Sequence, residues 1–148
     1  MLRISKLTDY ATLLMTRLAR EPGRCFSATQ LADALGVPLP TVAKLLKRLL
    51  QAELLVSVRG TGGGYMLAHA PRAISVADVV SAIEGPVALT ECVHVPGGCV
   101  LEAACATRAN WHVISRAVRT ALEGVSLADM ALPRLRTVPL QRMAVKEK

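Results

Sequence analysis

Aromatic side chains are scarce in this sequence. Tyr10, Phe26, Tyr65 and Trp111 are the whole set, 3% of 148 residues. Recognition of single-stranded nucleic acid by base stacking needs a series of aromatic platforms, which this chain does not have. Long uncharged runs are also missing. A membrane-spanning helix needs about 20 nearly uncharged residues, and charges interrupt every candidate stretch. Arg3, Lys6, Asp9 and Arg17 break up the N-terminal region before a signal-peptide core could form. The expectation is a cytoplasmic chain with no membrane partner. Paired carboxylates and nucleophile–base arrangements are not evident, so the chain is expected not to be an enzyme. Acidic residues number 11 against 18 Lys and Arg, for a net charge of +7. Apolar residues, by contrast, make up 52%, well above what a disordered tail carries. A basic, apolar chain of this length suits one compact domain with an oligomerisation extension and a polyanionic partner, nucleic acid foremost.

The charge is unevenly placed. Residues 1–66 carry a net +5, residues 67–130 a net −2, and residues 131–148 a net +4. A polyanion site is therefore expected in the first segment, and the last reads as a basic flexible tail.

Leu7, Tyr10, Leu14 and Leu18 recur at spacings of three and four, which predicts a helix from about residue 6 to residue 20, ended by Pro22-Gly23. A second helix fits Thr29–Leu35 and a third about Pro40–Ala52, with Val42, Leu45, Leu46 and Leu49 as its buried stripe. Ala32 is small where two helices must cross, Gly36 suits a left-handed turn, and Val42 would plug the core between them. This is a helix-turn-helix pattern. Thr41, Lys44, Lys47 and Arg48 lie on the third helix, where a major groove and its phosphates would be met. The alternative for the same cations is a solvated basic face.

Leu54–Val58, a glycine-rich turn from Arg59 to Gly64, and Tyr65–Leu67 predict a β-hairpin, which after a helix-turn-helix is a wing. Arg59 would reach a minor groove, while Gly62 and Gly63 would let backbone approach phosphates. A nucleotide-cradling reading of the glycines fails because no helix opens after them. Ser75 and Asp78 then form a capping-box start for a helix ending near Glu84, with Val76, Val79, Val80 and Ile83 on its buried face.

Residues 91–105 hold Cys92, Cys99 and Cys105 in a C-x6-C-x5-C spacing, with Pro96-Gly97-Gly98 making the middle a turn. In a reducing compartment such thiols read as ligands, redox groups or buried residues before they read as disulfides. They suit one soft metal centre, either an iron–sulfur cluster or a zinc ion completed by His94 or His112. Three unligated thiols remain the alternative. Cys25 stands apart and reads as a small buried residue. A long helix follows at about Thr107–Glu123. Its stripe of Trp111, Ile114, Val118, Leu122 and Val125 must be buried, and a second copy of the chain is the expected cover. Ser126-Leu127-Ala128-Asp129 starts a last short helix.

Thr8-Asp9-Tyr10-Ala11, Val58-Arg59-Gly60-Thr61-Gly62-Gly63-Gly64-Tyr65 and the three-cysteine loop, in this order, resemble the IscR and NsrR group of bacterial iron–sulfur transcription regulators, the Rrf-two type. The resemblance covers about residues 1–132. The opening Met1–Tyr10 is also similar to regulators of sulfur-mobilisation cluster-assembly operons. The resemblance implies a mainly α fold with a small β-hairpin wing, a winged helix-turn-helix with a long dimerisation helix. It implies a homodimer on double-stranded operator DNA, and a cluster (2Fe-2S or 4Fe-4S) on Cys92, Cys99 and Cys105. The fourth ligand in IscR-like members is a His three residues after the last Cys, where this chain has Arg108. In NsrR-like members it is an Asp of the first helix from the other subunit, the position of Asp9. The implied function is repression governed by cluster status, redox or nitric oxide, through genes such as those of cluster assembly. A zinc-stabilised or thiol-redox winged-helix regulator is the alternative. The expected division is a winged helix-turn-helix over 1–85, a cysteine loop over 86–106, dimerisation and short C-terminal helices over 107–132, and the tail over 133–148.

Overall fold

The computed structural model describes residues 3–133. In chain order it has α1 (Lys6–Arg20), α2 (Ala28–Leu35), α3 (Leu39–Gln51), β1 (Leu55–Val58), β2 (Gly64–Leu67), α4 (Val76–Glu84), α5 (Glu91–His94), α6 (Arg108–Glu123) and α7 (Leu127–Met130), with 3-10 turns at Pro71–Ala73 and Glu102–Ala104. The tail expected over 133–148 lies outside the described residues beyond Pro133.

Serines start four of the helices. Ser5 accepts the Thr8 amide N–H at 3.2 Å at the head of α1. Ser27, Ser75 and Ser126 each close a full capping box, with Gln30, Asp78 and Asp129 respectively. Each box satisfies two backbone donors that a helix start would leave open. Gly36, at φ 63°, ends α2 in the left-handed conformation that the turn into α3 requires. Ala11, Leu14, Met15 and Leu18 of α1 pack with Leu31 of α2 and with Val42, Leu45, Leu46 and Leu49 of α3 to form the core.

The wing has a third rung. β1 pairs antiparallel with β2, from Leu55 opposite Leu67 to Val58 opposite Gly64. Phe26, in the loop after α1, donates its amide to the Tyr65 carbonyl at 3.0 Å, and the Tyr65 amide returns a bond to the Phe26 carbonyl at 2.8 Å. The Arg17 and Arg24 guanidinium groups both lie over the buried Phe26 ring, each 4.7 Å from its centroid. Both arginines pair with Glu21. Hydrogen bonds from Arg24 and then Arg17 hold the Glu21 carboxyl below its usual range. Cys25, beside Phe26, is half-buried and sets its thiol 3.8 Å from the Met66 sulfur.

The chain then returns to its beginning. The Val76 amide donates to the Val125 carbonyl at 2.8 Å and the Leu127 amide to the Ile74 carbonyl at 2.9 Å. This bridge joins the two similar segments 74–79 and 125–130 and seats Leu127, fully buried, in the same core. α7, which lies in the segment expected over 107–132, thus packs with α1 and the 3-10 turn at Pro71–Ala73.

The stripe expected on α6 is also divided. Val125 is buried within the chain, and Val118 and Leu122 are half-buried, facing Val80 of α4 across a cleft. Trp111 and Ile114 stay exposed, at 38% and 44%, and Val113 beside them at 54%. The stripe is therefore covered by its own chain toward the C-terminal end of α6 and exposed toward the N-terminal end.

Candidate DNA interface and cysteine loop

The α3 helix puts its apolar stripe inward, so Lys44 and Lys47 stand fully on the outer face and Thr41 is half-buried near the helix start. Arg48 does not project with them, as the sequence had suggested. It is half-buried, and its guanidinium donates to the Ile83 carbonyl at the end of α4, Nη1 to O 2.7 Å. One helical turn beyond Lys44, it leans toward α4 instead of toward a groove.

Arg59 is exposed where the hairpin turns. The glycines after it are required by the wing itself. A Cβ on Gly63 would lie 2.2 Å from the Val58 carbonyl oxygen, and one on Gly64 would lie 2.4 Å from that of Phe26. Gly62, by contrast, has open space around it. Of the two glycines expected to approach phosphates, Gly62 keeps that freedom, and the space at Gly63 is already filled by backbone.

The cysteine loop begins after a bend at Gly85, where φ is 89°. Cys92 is buried on α5, with its sulfur 3.3 Å from the Thr90 hydroxyl. Cys99 and Cys105 are half-buried. The Cys105 thiol is held below its usual pKa, first by the Thr107 hydroxyl at 3.4 Å and in smaller part by Arg108. Glu102 organises the loop from within, accepting the Gly97 amide at 2.6 Å and pairing with Arg108 at 2.7 Å. Arg108, at the position where a His was considered, is thus tied to a carboxylate of its own loop. His94 packs against Gly85 and lines a cleft of about 420 Å³ with Glu84, Leu89 and Val118.

All four cysteines are free thiols. Three soft donors on one short loop suit a thiolate-bound centre in chemistry. In the single chain, however, no three His, Cys, Asp or Glu side chains among the described residues converge as a metal site. Asp9 is exposed on α1 and lines a separate hollow of about 320 Å³ with Ile4, Val76 and Met130. Thr8, the residue before it, is fully buried. Its hydroxyl donates to the Glu84 carboxylate, which also accepts the Ser5 amide at 3.2 Å. These bonds, Thr8 first, hold the Glu84 carboxyl below its usual range.

Among the described residues no helix is long and apolar enough to cross a membrane. Residues 4–132 match the model of a family described as an iron-dependent transcriptional regulator, Rrf2. IscR, an HTH-type transcriptional regulator of Aliivibrio salmonicida, is 35% identical over 100 residues, which span 68% of this chain and 59% of that relative. The solved structure of CymR (YrzC), the global cysteine regulator of B. subtilis, superposes with a TM-score of 0.71 at 30% identity, covering 88% of this chain and 97% of that one. That of IscR from T. potens superposes with a TM-score of 0.68 at 29% identity, covering 87% and 85%.

Proposed function

The chain belongs to the Rrf2 family of winged-helix transcriptional regulators, and from that premise we propose that it represses transcription as a homodimer and senses the state of an iron–sulfur cluster. The observation that carries this reading is the family match over residues 4–132, which includes a loop of three free thiols between the winged helix and α6. Lys44, Lys47 and Thr41 on α3 and Arg59 and Gly62 on the wing meet the DNA, the cations supplying a salt-dependent affinity for phosphates. Trp111, Val113 and Ile114 are exposed on one chain and become the dimer seam, which gives two readers for a two-fold operator.

Cys92, Cys99 and Cys105 hold the cluster, and Asp9 of the partner subunit completes it. When bound, the group supplies a centre reactive to oxidants and nitric oxide. The protein's own part is positional. Glu102 sets the loop through Gly97 and Arg108, and the exposed carboxylate of Asp9 is free to leave its own chain. On this reading the cluster joins the cysteine loop of one subunit to α1 of the other, which makes cluster binding and subunit contact two aspects of one equilibrium. The genes controlled include those of cluster assembly.

Anaerobic purification with iron and sulfide analysis tests the reading. The expected protein is coloured, Cys92→Ala removes its thiolate-to-iron absorption, and Asp9→Ala leaves the bound group more labile. A colourless protein with stoichiometric zinc would sink the cluster. A second reading, direct thiol sensing, is favoured by the likeness to CymR. It predicts a metal-free protein that forms a disulfide on oxidation.

A further inference from the structure

The segment from Ile83 to Leu89, which carries the chain from α4 into the cysteine loop, is gripped from three sides. From α3, Arg48 donates to the Ile83 carbonyl at 2.7 Å. From the head of α1, the Thr8 hydroxyl and the Ser5 amide both donate to Glu84. From α6, Ser115 accepts the Leu89 amide at 3.3 Å, and Arg119 donates to the Val87 carbonyl at 3.3 Å. Ser115 is the one buried residue of α6. The segment itself has little freedom. Gly85 sits at φ 89°, Pro86 follows it, and Ile83 and Val87 are buried.

These grips join parts that the proposed function treats as separate. The helix α3 reads DNA, α1 carries Asp9, and α6 follows the cysteine loop and forms the dimer seam. The carbonyl that Arg48 reaches is among the last of α4, which lack partners within the helix, and a cation is favoured at that end. We infer that Arg48 is a positioning residue for DNA recognition: it fixes α3 on the 83–89 segment and does not touch DNA, while Ser115 and Arg119 fix the other end of the same segment to α6. A shift of α6 or of the cysteine loop then moves Leu89 and Val87, and through the stiff bend at Gly85-Pro86 it moves the carbonyl on which α3 is anchored. The segment is the physical element on which sensor and reader both pull.

The inference rests on the proposed roles of α3 and the loop, so the test has one arm that needs neither cluster nor DNA. Amide hydrogen exchange is followed in the metal-free chain. Ser115→Ala is expected to speed exchange in the second half of α3 by about tenfold, the effect of releasing one hydrogen bond that holds the segment. Arg48→Met is expected to abolish that response and Arg48→Lys, which keeps a donor, to restore it. Unchanged α3 exchange in Ser115→Ala overturns the inference and leaves the proposed function standing.

The second arm uses a duplex selected by the wild-type chain from a random pool. Its affinity is measured for the anaerobically reconstituted chain and for a chain with Cys92, Cys99 and Cys105 all changed to Ser. A coupled regulator shows a ratio of about fivefold or more between the two. Arg48→Met is expected to bring the ratio within about twofold, whereas Lys44→Gln weakens both affinities and keeps the ratio. If Arg48→Met weakens both and keeps the ratio, Arg48 is a DNA contact and the inference is wrong. A wild-type ratio of one refutes cluster sensing, and the exchange arm still decides the segment.

Discussion

Replacing Gly64 with Ala is a direct way to ask whether the wing's glycines serve DNA or the wing. An added Cβ would stand 2.4 Å from the Phe26 carbonyl oxygen and 2.6 Å from its carbon. Both are backbone atoms and cannot swing aside, so the Phe26–Tyr65 rung must open. That rung consists of two amide–carbonyl bonds, 3.0 and 2.8 Å, together worth about 2 kcal/mol net. Gly64 also sits at φ 153°, and holding a residue with a side chain in a glycine conformation costs of order 1–3 kcal/mol. The sum is about 3–5 kcal/mol, a large share of the ~5–15 kcal/mol that holds a domain together. At roughly 3 °C per kcal/mol for a chain of this size, the expected loss in Tm is about 10–15 °C. Thermal unfolding by circular dichroism measures it. Gly62→Ala is the control for the clash alone, because it shares the glycine conformation, at φ 156°, but no atom lies within 4 Å of its added Cβ. It should lose only the conformational part, about 3–9 °C, and, if Gly62 approaches phosphate, should bind DNA more weakly while staying folded. A Gly64→Ala protein melting within about 3 °C of wild type would refute the steric argument.

Three further outcomes follow from named contacts. Thr8→Val removes the buried hydroxyl that holds Glu84 ionised, for a loss of about 1–2 kcal/mol at neutral pH. Because the folded pKa of Glu84 is depressed, its contribution is present above the ordinary carboxylate range and fades as the pH falls through the folded value. The gap in Tm between wild type and Thr8→Val should therefore narrow as the pH falls below the ordinary carboxylate range, and a constant gap would show that the loss is packing alone. Lys44→Gln should weaken DNA binding and lower the slope of log affinity against log salt by about one, and an unchanged slope would remove Lys44 from the phosphate contacts. Ile114→Asp places a charge on an already exposed position, so it should halve the sedimenting mass with little change in helical content. A dimer that persists would move the seam elsewhere.

What the sequence could show depended on how local the cause was. The range of α1, Lys6–Arg20, was legible because apolar spacing and Pro22-Gly23 lie within the segment itself. The boxes at Ser75 and Ser126 were legible for the same reason, since each is closed within four residues. The Ser27–Gln30 box is equally local, and its Ser-x-x-Gln spacing was available to the same rule. Phe26 is different in kind. A single residue that adds a rung to a hairpin 39 positions away has no periodicity to betray it, and the Gly63-Gly64 pair only acquires its steric meaning once the wing is folded. The bond from Arg48 to Ile83 was hidden for the same reason: on a helical wheel Arg48 is one more cation near Lys44, and only the folded position of the α4 end gives it that partner. The candidate site divides along the same line. The thiols and the basic α3 could be named from residue type and order, and Asp9 from the family resemblance, but how they meet depends on contacts between chain segments. On the proposed reading Asp9 reaches the thiols of the partner subunit, an arrangement that no single sequence displays. Mixing Asp9→Ala chains with Cys92→Ala chains follows from that argument. Each variant alone should hold the centre poorly. In the mixed dimer, one of the two sites pairs an intact loop with an intact Asp9 and should recover. If the mixture binds no more iron than its two parents, Asp9 does not act across the dimer.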